Sequence, residues 1–357
     1  ITKLNIQKNF AKIERYVASF DEEIVFFLLN KCEFVRCILS DISEAFQFFD
    51  AQNARGKDLD PHDLLKAYHL REFSDNEKKV LPETVSSWES LESKHLARLF
   101  GDYLFRIKGW IKGRSSRFFT KKEAELFKGI TLDKIDNYPF TKSLRITHFY
   151  VDKYNQSIDR QIDLQKMNYP FQLDGPVING KRFFEMVHFY EDIIANYTGK
   201  DYHDKKNKED KKSIFFDNLD ISEEAEEIIY AINNYDKRMR DGDRFVRNLF
   251  DCALIYYHDK FGKVELSRFI EIAFIWSYKL RLKQASVYLS TADNYVLDNN
   301  IFKTIHESVE PYQVLNFSIP ELQKIRIGNQ KTLNYKYKNQ NCNLIDIFKK
   351  LRYYYGE

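Results

Sequence analysis

The sequence predicts a mainly α protein: many helices, an all-α bundle at the C-terminal end, and a small α/β portion at the N-terminal end. Three observations carry that reading. Only 12 Gly and 7 Pro punctuate 357 residues, too few turns for a many-stranded sandwich. Apolar residues recur at helical spacing through most of the chain. Hydrophobic residues make up 43% of it and aromatic residues 16%, which supplies packed interiors and excludes a disordered chain.

From the N-terminus, Ile6, Phe10, Ile13 and Val17 share one face of a helix over residues 4–19. A second apolar run follows Asp21 and reaches Leu29. The segment from Cys32 to Leu39 reads as a strand buried on both faces, and Ser43 caps a short helix carrying Phe46 and Phe49. Asn53, Arg55, Gly56 and Lys57 then form a turn. Asp60-Pro61 opens the next helix, since Pro at the first helical position lacks only an N–H that would be orphaned anyway. At 100° per residue Leu64, Leu65 and Tyr68 take one side of it; Asp63 and Lys66 take the other, flanked by His62 and His69. The turn and the polar side present an amide, a guanidinium and a helix N-terminus, a setting that attracts phosphate. The plainer alternative is an i,i+3 pair between Asp63 and Lys66 on a solvated face.

Residues 75–113 are strongly helical, with Val80, Val85, Trp88, Leu91, Leu96, Leu99, Phe100, Tyr103 and Leu104 on an apolar face and a break near Ser93. Thr120 with Glu123 forms a capping box inside a helix over 116–129. Residues 130–180 are turn-rich and place a sub-domain boundary there, and Lys200–Lys212 is a charged linker. Beyond it Ser222 caps a helix that Asp241-Gly242 breaks, and further helices run over 244–258, 266–283, in short pieces to Phe317, and over 344–354. The expected division is 1–72, 73–165, 166–212 and 213–357.

The charge is nearly balanced, +3 over the chain, so a nucleic-acid surface has to be local. One candidate is the basic run Arg106, Lys108, Lys112, Arg114 and Arg117 with Phe105, Trp110, Phe118 and Phe119 interleaved, a pattern suited to phosphates and stacked bases. The alternative is a helix end whose aromatics pack inward. Arg238, Arg240, Arg244 and Arg247 have Asp236, Asp241 and Asp243 among them and read as local salt bridges. Four scattered cysteines show no CxxC pair and no His/Cys cluster, so no metal site is assigned and a cytoplasmic location with reduced thiols is expected. No run of 18 apolar residues suggests a membrane partner.

The order Phe49, Asn53, Arg55, Gly56, Leu59, Asp63, Leu64, Lys66 resembles the signature of the domain of unknown function 262, the N-terminal module of GmrSD-type restriction systems. Pro176-Val-Ile-Asn-Gly-Lys-Arg-Phe-Phe-Glu185 is similar to a segment found downstream in such proteins. The resemblance implies a nucleotide-dependent, DNA-targeting restriction or phage-defence protein, with a nucleoside triphosphate and Mg in the intact molecule and DNA or a second copy as partners. It also implies nucleotide or phosphate binding at Asn53, Arg55, Gly56, Lys57, Asp63 and Lys66. The family's Asp-Gly-Gln-Gln-Arg motif is not in the sequence, and Ile305-His306 lacks the spacing of a nuclease core. A chain that lacks its N-terminal module and is itself non-catalytic is therefore expected. The alternative from another class is a helical interaction or sensor module with no enzymatic chemistry.

Overall fold

The computed structural model describes residues 2–33, 35, 36, 38, 48, 59–133, 138–198, 220–322 and 333–354. It is mainly α. Helices α1 (Thr2–Val17) and α2 (Glu22–Lys31) come first, and α3 (Pro61–Arg71) begins at the Pro that the sequence marks. Next come α4 (Leu81–Ser90) and α5 (Ser93–Arg98), which runs without a break through a π-helical stretch, Leu99–Leu104, into α6 (Phe105–Ile111). Then follow α7 (Pro139–Gln156), α8 (Ile158–Ile162), α9 (Lys181–Thr198), α10 (Glu223–Asn234), α11 (Asp241–Phe261), α12 (Leu266–Lys283), α13 (Leu289–Asp298), α14 (Ile301–Glu307) and α15 (Pro311–Leu315). A hairpin of β1 (Asn334–Tyr337) and β2 (Gln340–Asn343) and a last helix, α16 (Leu344–Lys350), close the chain.

The core forms around α11 and α12. Each buries thirteen of its residues, so each needs neighbours on several sides. Helix α11 packs against α12, α9, α13, α14 and α6, while α10 lies on α12 and β1. One continuous buried cluster extends from Leu65 to Tyr354 and joins the segments on both sides of 130–180. The buried arginines of these two helices are paired. Arg281 donates to Asp243 Oδ1 at 2.9 Å and to the carbonyls of Gln284 and Ala285, and Arg247 pairs with Asp251 at 2.7 Å. Arg240 and Arg244 pair with Asp243 and Asp241, as the local-salt-bridge reading expects.

Several expectations need correction. Among the described residues between Cys32 and Ile38 there is no strand, and the small sheet lies at the C-terminal end instead. Lys338 and Asn339 both take positive φ, 46° and 67°, the pair of values that a two-residue hairpin turn demands. Residues 139–156 form a full helix, with Pro139 at its first position rather than in a loop. Asp241-Gly242 starts α11 instead of breaking a helix; a methyl group on Gly242 would sit 2.8 Å from the Val287 carbonyl. The Thr120–Glu123 box exists, with Thr120 N donating to Glu123 Oε2 at 3.0 Å, but it opens a 3-10 turn, Glu123–Phe127. Ser43, Phe49 and Lys200–Lys212 lie outside the described residues.

Candidate functional site

Helix α3 is rotated from its expected setting. Its buried face is His62, Leu65, Ala67 and His69, whereas Leu64 and Tyr68 are half-buried. The imidazoles are tolerated inside because each finds partners. His69 Nε2 meets the Phe127 carbonyl at 3.0 Å and its ring stacks on Phe183, and burial pushes its pKa down to about 3. His62 Nε2 lies 3.2 Å from Ser93 Oγ. Burial lowers the His62 pKa as well, against the pull of the Asp63 and Asp60 charges, which favours the neutral ring.

Asp60 is the N-cap residue of α3, but its carboxylate makes no cap hydrogen bond. Its carbonyl accepts from Asp63 N at 3.0 Å, and Oδ2 lies 3.5 Å from the Ser93 hydroxyl. The result is a compact trio. One potential ligand atom from each of Asp60, His62 and Asp63 lies within 4.8 Å of the others. Two carboxylate oxygens and an imidazole nitrogen make a donor set suited to a divalent first-row cation. The dipole of α3 also favours negative charge at this end.

Two of the trio, Asp60 and His62, line one side of a cleft of about 340 Å³ together with Pro61. Asp102 and Gly101 of the π-helical stretch, Arg106, Arg117, Phe118 and Phe119 line the rest with Ala97 and Leu289. π-Helical turns recur at functional sites because they re-aim side chains that a regular helix would place elsewhere. Arg106 is 6% exposed; Nη2 pairs with Asp102 at 3.1 Å, Nη1 donates to Asn248, and Nε has no hydrogen-bond partner. Arg117 Nε meets Asp293 Oδ2 at 3.0 Å and Nη2 donates to Asn294. Asp293 also accepts from Trp110 Nε1, Ser115 Oγ and Ser116 N, at 2.9, 2.6 and 2.8 Å. Burial alone would raise its pKa, but these donors outweigh burial and hold it below the usual carboxylate range. Phe118 is 70% exposed at the cleft wall, an unusual setting for a phenyl ring.

The structure divides the site residues that the sequence offers. Asn53, Arg55, Gly56 and Lys57 lie outside the described residues. Asp63 belongs to the trio, whereas Lys66 is turned away to Glu89 of α4 at 3.1 Å and so is not the partner of Asp63. Of the basic run, Arg106 and Lys108 are buried. Lys108 Nζ caps the carbonyls of Leu173 and Gly175, and burial pushes its pKa down to about 8. Lys112 and Arg114 are exposed, and Arg117 is held by Asp293. Phe105 and Trp110 are core residues. Sequence reasoning missed Asp60 and His62 as possible ligands, and Asp102 and Phe118 as cleft walls. The available signal was the spacing Asp-x-His-Asp, which a search for His/Cys pairs passes over.

A second polar constellation mimics a catalytic one. Ser87 Oγ lies 2.9 Å from His188 Nε2, and His188 Nδ1 lies 3.6 Å from Glu191, which also faces His95 at 3.3 Å. Hydrogen bonds from His188 and then His95 push the Glu191 pKa down to about 2. Acyl transfer needs donors for an oxyanion beside the nucleophile. Ser87 sits inside α4, where backbone N–H groups are already spent on the helix. The cluster therefore reads as the seam that joins α4 and α5 to α9.

Residues 82–335 match a family of unknown function (DUF7834). The chain belongs to this family. No curated protein and no solved structure matches it. This membership overturns the resemblance to the domain of unknown function 262 and to GmrSD-type proteins, neither of which matches. The structure explains why short motifs misled. Of the first motif, Asp63 and Leu64 lie in the first turn of α3, where an acid and an apolar residue suit any helix start, and Lys66 pairs with Glu89. In the second motif, Asn179 clamps Gly129 from both sides, accepting from its N–H at 2.8 Å and donating to its carbonyl at 3.0 Å. Arg182 pairs with Asp152 and Glu185. The restriction, phage-defence and missing-module expectations lose their basis with the resemblance. Among the described residues no helix is long and apolar enough to cross a membrane.

Proposed function

We propose that this protein is a helical ligand-binding module of the interaction or sensor class, whose cleft seats a divalent cation between Asp60, His62 and Asp63. The observation that carries the reading is the convergence of three ligand atoms within 4.8 Å at the edge of a walled cleft. Burial favours the neutral form of His62, the form that ligates a metal, and the two carboxylates supply the charge. Arg117 lines the same cleft as Asp60 and His62, so an anionic second ligand there would meet its guanidinium as well as the cation.

The test is titration of the metal-free protein with Mn²⁺, followed by calorimetry and by the loss of the free-ion electron paramagnetic resonance signal. One site per chain is expected. His62→Ala and Asp63→Asn should each weaken it by roughly 10–100-fold, as removal of a ligand or of its support commonly does. Wild-type protein that leaves the Mn²⁺ signal unchanged at millimolar concentration would end the proposal.

A further inference from the structure

Three apolar helical faces, on α1, α2 and α7, stand exposed among the described residues, and those of α2 and α7 carry opposite charge at their rims. Helix α2 buries none of its side chains, and Phe26, Phe27 and Leu29 are 60, 58 and 78% exposed. It opens with Asp21, Glu22 and Glu23, of which Asp21 is used to cap the helix, accepting from Ile24 N at 2.8 Å. The other face belongs to α7 and α8. Helix α7 buries only Thr141, His148 and Val151, whereas Ile146, Phe149 and Tyr150 are 61, 57 and 59% exposed, and Ile158 on α8 is 73% exposed.

Along the α7 part of this face the charges are of one sign, while α8 adds the acid Asp159 beyond it. Lys142, Arg145 and Lys153 stand along α7, and the helix's one acid, Asp152, is turned inward to Arg182 and to Tyr169 Oη, the latter at 2.6 Å. Like charges disfavour pairing of α7 with the α7 of another copy. An apolar helix with an acidic first turn is the complement of this face, and α2 is such a helix.

We infer that α2 of one copy of this chain docks on the α7–α8 face of a second copy. A reciprocal exchange buries both faces and closes a twofold dimer, which leaves no open end to polymerise. Glu22 and Glu23 then face Lys142 or Lys153 at the rim, and the apolar side chains form the centre, the usual division of an interface. The inference is independent of the cation site.

Sedimentation equilibrium on the full chain tests it, against a monomer mass of 42.8 kDa. The expected result is a dimer at micromolar concentration. The double variant Glu22→Lys/Glu23→Lys should weaken it at least tenfold, and so should Lys142→Glu/Lys153→Glu. Mixing the two variants pairs one reversed α2 with one reversed α7 and should restore association. Circular dichroism shows whether these exposed substitutions leave the fold intact. A monomeric wild type overturns the inference, which covers the case of α2 folding back on its own chain. A dimer indifferent to the Lys142/Lys153 reversal also overturns it, because another basic face, such as α1, would then be the receiver.

Discussion

Helices α7 and α12 are each 18 residues long, and their surroundings could hardly differ more. Thirteen residues of α12 are buried, among them Lys279 and Arg281, whose charges are met by the Pro320 carbonyl and by Asp243. Three residues of α7 are buried, and its aromatic and aliphatic residues largely face outward. What separates them is the company each keeps. Helix α12 is enclosed by α10, α11 and α15, whereas α7 has one seam, where His148 stacks on Tyr169 beside Phe171. Apolar content thus says that a helix wants a partner, and chain topology says whether the same fold provides one.

The strongest way to break this comparison is to truncate the enclosed helix. Trp276 is fully buried, contacts the rings of Tyr295 and Phe302 at 5.8 Å each, and donates Nε1 to the Asn299 carbonyl at 2.8 Å. Trp276→Ala is expected to cost about 3–5 kcal/mol in urea unfolding, through lost burial plus an unfilled cavity. A loss below about 1 kcal/mol would mean that α12 is not enclosed at Trp276.

A smaller effect sharpens the account of the seam under α7. Burial pushes the His148 pKa down to about 4, with the Arg182 charge acting in the same direction and Asp152 opposing it. The folded-state value lies below the unfolded one of about 6.5. Its stabilising contribution is therefore present above pH 6.5 and is lost as pH falls toward 4. Between pH 7 and pH 5 that loss amounts to roughly 1–2 kcal/mol. His148→Phe should flatten the stability profile over this window relative to wild type, measured by denaturant titration at each pH. Parallel profiles would show that His148 titrates as it does in the unfolded chain.

The smallest expected effect lies on the outer face of the same helix. Phe149→Ala, measured at a concentration where the chain is monomeric, should change stability by no more than about 0.5 kcal/mol. A loss of several kcal/mol would place Phe149 in a core contact and remove the contrast with Trp276.

Part of the fold was legible because it depends on local rules. Pro61, Ser222 and Leu266–Lys283 mark helix boundaries through a fixed φ, a cap and an uninterrupted period, and all three boundaries hold in the structure. Ser222 Oγ accepts from Ala225 N at 3.2 Å, as a cap does. Other elements were not legible because their cause is remote. The π-helical stretch at Leu99–Leu104 is flanked by ordinary helix formers, and four of its six residues are buried. The hairpin at 334–343 exists because β1 lies on α10, where Asp236 N donates to the Asn334 carbonyl at 2.8 Å.

The candidate site divides in the same way. Asp60 and Pro61 could be read as a helix start, and Arg106 and Arg117 as members of a basic run, from sequence alone. Which side of α3 turns inward could not, because His62 and His69 look polar until Ser93 and the Phe127 carbonyl arrive to meet their nitrogens. Nor could the separation of Arg106 and Arg117 from exposed Lys112 and Arg114, which Asp102 and Asp293 bring about from the π-helical stretch and from α13. By itself the sequence determined that the chain is helical, where many of its helices begin, and that it carries a large apolar interior. Only the tertiary structure decided which apolar faces are covered and which charges are neutralised. Helix caps and periodicity act within a few residues, whereas burial and ion pairing join groups more than a hundred residues apart.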